Sequence, residues 1–142
     1  MKILYTAHAT SVGGRGGGTA KTADGALDVK IDHPVEMGGK GDGLNPEQLL
    51  AIGWSSCYLG AMKFVAGKMT PPVRVTPEAA VTAHVSFGAR DDGEGFGLEV
   101  VFDVSLPGVD KATAQDIATR AHVVCPYSHA TRGNIKVTTN IV

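Results

Sequence analysis

The period of apolar and polar positions changes several times along the chain, and each change predicts an element. Residues 2–10 mix β-branched and apolar side chains and read as a strand. The run 13–18, five glycines around Arg15, admits no regular element and reads as a mobile or tightly turned loop. Asp24-Gly25 lies between two extended stretches, 18–23 and 26–32, which predicts a hairpin; His33-Pro34 closes it. Gly38, Gly39, Gly41 and Gly43 make a second glycine-rich connection. A helix then starts at Asn45-Pro46-Glu47-Gln48. Asn45 suits the cap, Pro46 the first turn, and Glu47 the positive end of the helix dipole. It should run to about Gly67. Its apolar residues lie all round rather than on one stripe, which predicts burial on several sides and favours packing against a second subunit. Past the prolines at 71, 72 and 77, stretches 79–88 and 96–106 alternate as an antiparallel pair joined by a polar turn, 89–95. A second helix fits 110–124 and stops at Pro126, and a last strand spans 135–142. The order of strands, helix, strands, helix, strand predicts an α+β fold. There is no internal repeat and no linker long enough to divide domains, so 1–142 reads as one domain.

Composition narrows the function. The chain has 142 residues, 43% apolar and 19% charged, enough for a packed core. A net charge of −1, with no run of like charges, provides no footprint for nucleic acid and no patch for an anionic membrane. The apolar stretch 49–66 approaches the length of a membrane span. It carries Gly53, Ser55, Ser56, Gly60 and Lys63 and has no flanking basic cluster, so it reads as a buried helix. The first residues do not form a signal peptide, and the expected compartment is the cytoplasm.

Two cysteines in a reducing compartment are seldom a permanent staple. They are either transiently oxidised or simply buried. Cys57 lies mid-helix, in Trp54-Ser55-Ser56-Cys57-Tyr58-Leu59-Gly60. A thiol reduces a peroxide only as the thiolate, and a helix interior gives it no help from the dipole. A nucleophilic Cys57 therefore needs a cation from another segment. Arg15, in its glycine loop, is the candidate, with five planar donors able to hold a thiolate and a peroxide oxygen together. Glu47 could hold Arg15 by a bidentate pair. The plainer readings are a solvated loop arginine and an ordinary first-turn carboxylate. Cys125, next to helix-ending Pro126, sits where a resolving thiol could move. The spacing of His122, Cys125 and His129, with Cys57 as a fourth ligand, also resembles a metal site, though it lacks paired ligand clusters. Trp54, Tyr58, Leu59, Met62 and Phe64 surround Cys57 in sequence and read as the lining of an apolar pocket. No nucleotide-binding, Gly-x-Ser-x-Gly or Cys-x-x-Cys motif is present.

Three ordered blocks resemble one family. They are Asn45-Pro46-Glu47-Gln48-Leu49-Leu50, Ser56-Cys57-Tyr58-Leu59-Gly60-Ala61, and the run from Val124-Cys125-Pro126-Tyr127-Ser128 to Arg132-Gly133-Asn134-Ile135. Together with Gly14-Arg15, Asp24-Gly25 and Pro34-Val35-Glu36-Met37-Gly38-Gly39, they resemble the organic hydroperoxide resistance (Ohr) branch of the Ohr/OsmC superfamily over nearly the whole chain. The resemblance implies an intertwined homodimer with antiparallel sheets around a buried central helix. It implies reduction of alkyl and fatty-acid hydroperoxides to alcohols, with Cys57 peroxidatic, Cys125 resolving, and Arg15 and Glu47 activating Cys57. It implies dihydrolipoamide or a lipoylated protein as reductant, and no cofactor or metal. One position departs from the pattern: Gly16 follows Arg15, where the family commonly has an aspartate. Two rival readings stand beside this one, a non-catalytic redox sensor and a small protein binding metal through Cys57, His122, Cys125 and His129.

Overall fold

Asp24-Gly25 turns the chain as expected. The Asp24 carboxylate accepts from the Thr22 hydroxyl at 2.6 Å and from the Ala26 N–H at 3.0 Å, and Gly25 takes φ 74°, which no other residue adopts cheaply. The computed structural model describes residues 1–142 and divides into two compact units, Met1–Leu49 and Leu50–Val142.

The first unit holds a three-stranded antiparallel sheet in the order β1 (Ala9–Val12), β2 (Gly18–Thr22), β3 (Asp28–Ile31). β1 is shorter than the strand expected over 2–10. Its ladder runs from Ala9 opposite Thr22 to Val12 opposite Thr19. Residues before Ala9 run past the end of β2 and have no strand to pair with, so Ile3, Leu4 and Tyr5 stay exposed. A short 3₁₀ turn, Val35–Met37, follows, and Leu44 bridges back to Ile31.

Helix α1 (Pro46–Gly67) carries the chain from the first unit into the second. Its start is a reciprocal capping box: Gln48 N–H donates to Asn45 Oδ1 and Asn45 N–H to Gln48 Oε1, each at 2.9 Å. The second unit adds β4 (Ala80–Ala89), β5 (Phe96–Ser105), α2 (Lys111–Val124), α3 (Pro126–Thr131) and β6 (Lys136–Ile141). β4 and β5 form the expected antiparallel hairpin. β6 lies parallel to β5 because α2 and α3 supply the crossover that a parallel pair requires. Asp110 is the cap of α2 rather than its first residue, its carboxylate accepting from Thr113 N–H at 3.0 Å.

The core of the second unit sits between its sheet and its helices. Trp54, Tyr58, Met62 and Ala66 from α1 meet Val100, Phe102 and Val104 from β5 and Ile117, Ala118 and Ala121 from α2. α1 is long and apolar enough to cross a membrane by length and composition, yet it packs here as a core helix. Within the chain its burial is one-sided: Ile52 and Phe64 stay 59% and 51% exposed, so the all-round apolar pattern is only half used.

Candidate redox site

Arg15 and Glu47 both belong to the first unit. The loop before Arg15 turns through Gly13 and Gly14 at positive φ. A Cβ on Gly18 would fall 2.4 Å from the Gly14 and Val12 carbonyl oxygens, so the turn is tight rather than loose. The guanidinium then reaches Glu47 as a two-pronged pair, Nη2 to Oε1 at 2.6 Å and Nη1 to Oε2 at 3.1 Å, with both side chains part-buried. The unusual Gly16 has a local reason: a Cβ there would press on the His33 ring at 3.3 Å.

Cys57 and Cys125 both belong to the second unit. Their sulfurs lie 3.2 Å apart, 68 residues apart in sequence, as free thiols sharing one hydrogen bond. Bond formation between them, at about 2.05 Å, needs only a small further approach. Cys57 is part-exposed and Cys125 fully buried. Burial pushes the Cys57 thiol above its ordinary pKa. The Tyr127 backbone N–H donates to Cys57 and opposes that rise, and the adjacent Cys125 thiol adds to it. In its own unit the Cys57 thiol is thus held mostly protonated at neutral pH.

The Cys125 region is more structured than the sequence reading allowed. Pro126 does end α2, but it is also the first residue of α3, which Cys125 caps. Missing this hid the Tyr127 N–H, which points at Cys57 from the first turn of α3. The Cys-Pro dipeptide was the available signal, since proline at a first helical position starts a helix as readily as it ends the preceding one.

Two other expectations are corrected. Trp54, Tyr58 and Met62 are fully buried core residues and line no open pocket around Cys57. Phe64, seven residues on and therefore on the Cys57 face of α1, stays exposed, as does Tyr127, whose ring lies over Gly53, where a Cβ would meet it at 3.0 Å. The proposed metal ligands do not form a set. The His122 ring nitrogens go to Ser128 Oγ at 2.9 Å and Thr139 Oγ1 at 3.0 Å, and no three His, Cys, Asp or Glu side chains converge. His8 and His129 are exposed, and His84 pairs with Asp103 on the solvent face of the second sheet.

A family model described as OsmC-like protein matches residues 39–140. An organic hydroperoxide resistance protein of Xanthomonas axonopodis pv. citri is 49% identical over 138 residues, 96% of this chain and 94% of the relative. Among solved structures, an organic hydroperoxide resistance protein from Elizabethkingia anophelis superposes with TM-score 0.88 at 44% identity, covering 99% of this chain and 98% of the other. OhrB of Bacillus subtilis superposes with TM-score 0.87 at 34% identity, covering 99% and 100%.

Proposed function

Since the chain belongs to the OsmC/Ohr family, we propose that it is a thiol peroxidase that reduces organic hydroperoxides to alcohols, acting in oxidative-stress defence. The observation that carries this reading is the 3.2 Å approach of Cys57 to Cys125, one part-exposed thiol against one buried thiol. The names of the relatives support the substrate class.

The cycle runs through these two sulfurs. The Cys57 thiolate attacks the terminal oxygen of R–O–OH, the O–O bond breaks, and the alkoxide leaves to take a proton and become the alcohol. Cys57 is then a sulfenic acid. Cys125 attacks that sulfur, water leaves, and a Cys57–Cys125 disulfide remains. A dithiol such as dihydrolipoamide, free or on a lipoylated protein, restores both thiols by exchange. A cytosolic setting, where disulfides turn over, suits such a cycle.

The Cys57 pKa, raised within its own unit, makes an activating cation necessary, and Arg15, oriented by Glu47, fills that role in this reading. Glu47 and Cys57 are ten residues apart on α1, a rise of about 15 Å at 1.5 Å per residue. α1 is helical without interruption from Pro46 to Gly67. We therefore assign the Arg15–Glu47 pair at a given Cys57 to the second subunit of a homodimer. The apolar face of α1 left open by Ile52 and Phe64 supports such a dimer.

The test is turnover. Dihydrolipoamide should sustain many cycles with cumene or tert-butyl hydroperoxide. Hydrogen peroxide should react more slowly, because an alkyl group gains about 25 cal/mol per Å² buried against apolar side chains such as Phe64 and Tyr127. A single oxidation followed by arrest would indicate a sensor instead. Equal rate constants for organic and inorganic peroxide would sink the substrate assignment.

A further inference from the structure

Five buried or half-buried polar side chains surround the two cysteines, and their donor and acceptor capacities can be counted. Trp54 Nε1–H, which can only donate, gives to Ser128 Oγ at 3.1 Å. Ser128 Oγ lies 2.9 Å from His122 Nδ1, and His122 Nε2 lies 3.0 Å from Thr139 Oγ1. Tyr58 O–H donates to the Ala118 carbonyl at 2.8 Å. Two assignments of the His122 proton are conceivable. With the proton on Nδ1, Ser128 Oγ accepts from both Trp54 and His122, and its own buried hydrogen has no acceptor. Thr139 would have to donate to His122. With the proton on Nε2 the buried Ser128 hydrogen goes to His122 Nδ1, and the chain runs one way from Trp54 to Ser128 to His122 to Thr139, whose hydroxyl is only half-buried. Buried polar groups go unpaired at a cost, so the second assignment prevails.

The placement of this chain of hydrogen bonds is not arbitrary. Trp54 and Tyr58 stand three residues before and one after Cys57 on α1, while His122 and Ser128 stand three residues before and after Cys125. His122 also stacks on Tyr58, ring centroids 4.0 Å apart and planes 23° apart, and its carbonyl accepts from Arg132 at 2.8 Å. Thr139 on β6 ends the chain. The network thus ties the helix that carries Cys57 to the α2–α3 junction that carries Cys125.

We infer that the one-way hydrogen-bond chain from Trp54 through Ser128 and His122 to Thr139 is a positioning device for the resolving step, with His122 held as its Nε2–H tautomer so that Cys125 stays within reach of oxidised Cys57. None of these groups touches the reacting sulfurs' oxidant; Ser128, His122 and Thr139 are positioning residues. The inference rests on the reading that Cys125 resolves a Cys57 sulfenic acid.

The test separates the two chemical steps. Thr139→Val keeps the shape of the side chain and removes the hydroxyl; Thr139→Ser restores the hydroxyl; Ser128→Ala cuts the chain at a second point. After rapid mixing with one equivalent of cumene hydroperoxide and acid quenching, mass spectrometry follows sulfenic acid and disulfide separately. Thr139→Val and Ser128→Ala should form the sulfenic acid within about twofold of the wild-type rate and the disulfide about tenfold more slowly, the loss expected of one buried hydrogen bond. Thr139→Ser should recover most of the disulfide rate. Long-range ¹H–¹⁵N spectra of histidine-labelled protein should show a single Nε2–H tautomer for His122 in the wild type and a mixture in Thr139→Val, a signature that packing alone would not move. Wild-type resolution rates in both cut variants, or a wild-type Nδ1–H tautomer, would overturn the positioning role and leave the peroxidase reading intact. A wild type that never forms the Cys57–Cys125 disulfide would overturn both.

Discussion

The Arg15–Glu47 pair and the Cys57–Cys125 pair are held in place by opposite means. Arg15 comes from a glycine turn on a small sheet, stays 31% exposed, and is fixed by charge and a two-pronged hydrogen bond. Cys125 is 0% exposed, and its sulfur is fixed by a packed core and a proline-started helix. The difference teaches two ways of fixing a side chain. In the proposed cycle, a charge that meets the substrate can sit on a loop, because direction comes from its partner. A thiol that must meet another thiol needs its backbone fixed, because sulfur forms only weak hydrogen bonds to steer it.

The sharpest way to break this comparison is to remove each sulfur in turn. Cys57→Ser should lose roughly a thousandfold or more of peroxide reduction, since an uncharged hydroxyl is a poor nucleophile here. Cys125→Ser should still react once, quickly, and then accumulate the Cys57 sulfenic acid. Mass spectrometry after one equivalent of hydroperoxide reads both outcomes. First oxidation on Cys125 in the wild type would reverse the roles assigned to the two thiols.

Charge should matter next. Arg15→Ala is expected to raise the Cys57 pKa further and slow the peroxide step roughly tenfold or more at pH 7, while the fold survives the loss of a part-exposed loop side chain. Arg15→Lys should recover only part of the rate, because lysine keeps the charge and loses the planar fork that grips Glu47. Thiolate absorbance titrated in the Cys125→Ser background measures the shift, and an unchanged pKa would reduce Arg15 to an ordinary loop residue.

Whether the two pairs come from one chain or two is a question of assembly. Mixed dimers of Glu47→Ala and Cys57→Ser, made by subunit exchange, should regain one intact centre if the pairs belong to different subunits. With exchange verified by native mass spectrometry, persistent inactivity would assign both to the same chain.

How far the sequence could be read differs between the two regions for the same physical reasons. Asn45-Pro46, Asp24-Gly25 and the alternation in β4 and β5 are local signals, and the structure forms a capping box, a hairpin and an antiparallel pair at those positions. Arg15 with Glu47, and Cys57 with Cys125, could be nominated from residue chemistry and family resemblance, and each pair is in contact. What escaped was set by tertiary pairing. β1 could not be trimmed to Ala9–Val12 without knowing where β2 ends. The residues flanking Cys57 could not be sorted into core and surface without knowing which side of α1 meets β5, so Trp54, Tyr58 and Met62 were misread as pocket. The His122 network joins α1, α2, α3 and β6, and no spacing along the chain announces it.

The smallest expected effect concerns that same histidine and pH. Burial lowers the His122 pKa below its ordinary value, and the nearby positive charge of Arg132 lowers it further. Its ring faces Ser128, Thr139, Tyr58 and Phe102, none of them charged at neutral pH. A base whose folded pKa lies below its unfolded one binds more protons when unfolded. Its contribution is therefore complete above the unfolded value, about 6.5, and is lost as pH falls from there toward the folded pKa. Protonation would also put a second N–H on the ring, opposite the Ser128 hydroxyl that now donates to it, and break the one-way order of the network. The urea midpoint of the reduced protein should thus decline as pH drops below about 6.5. His122→Phe, which keeps a ring to stack on Tyr58 but cannot be protonated, should be less stable at pH 7.5 and show a flatter decline. Parallel pH profiles for the two proteins would mean that other groups set the acid sensitivity and that His122 is not its source.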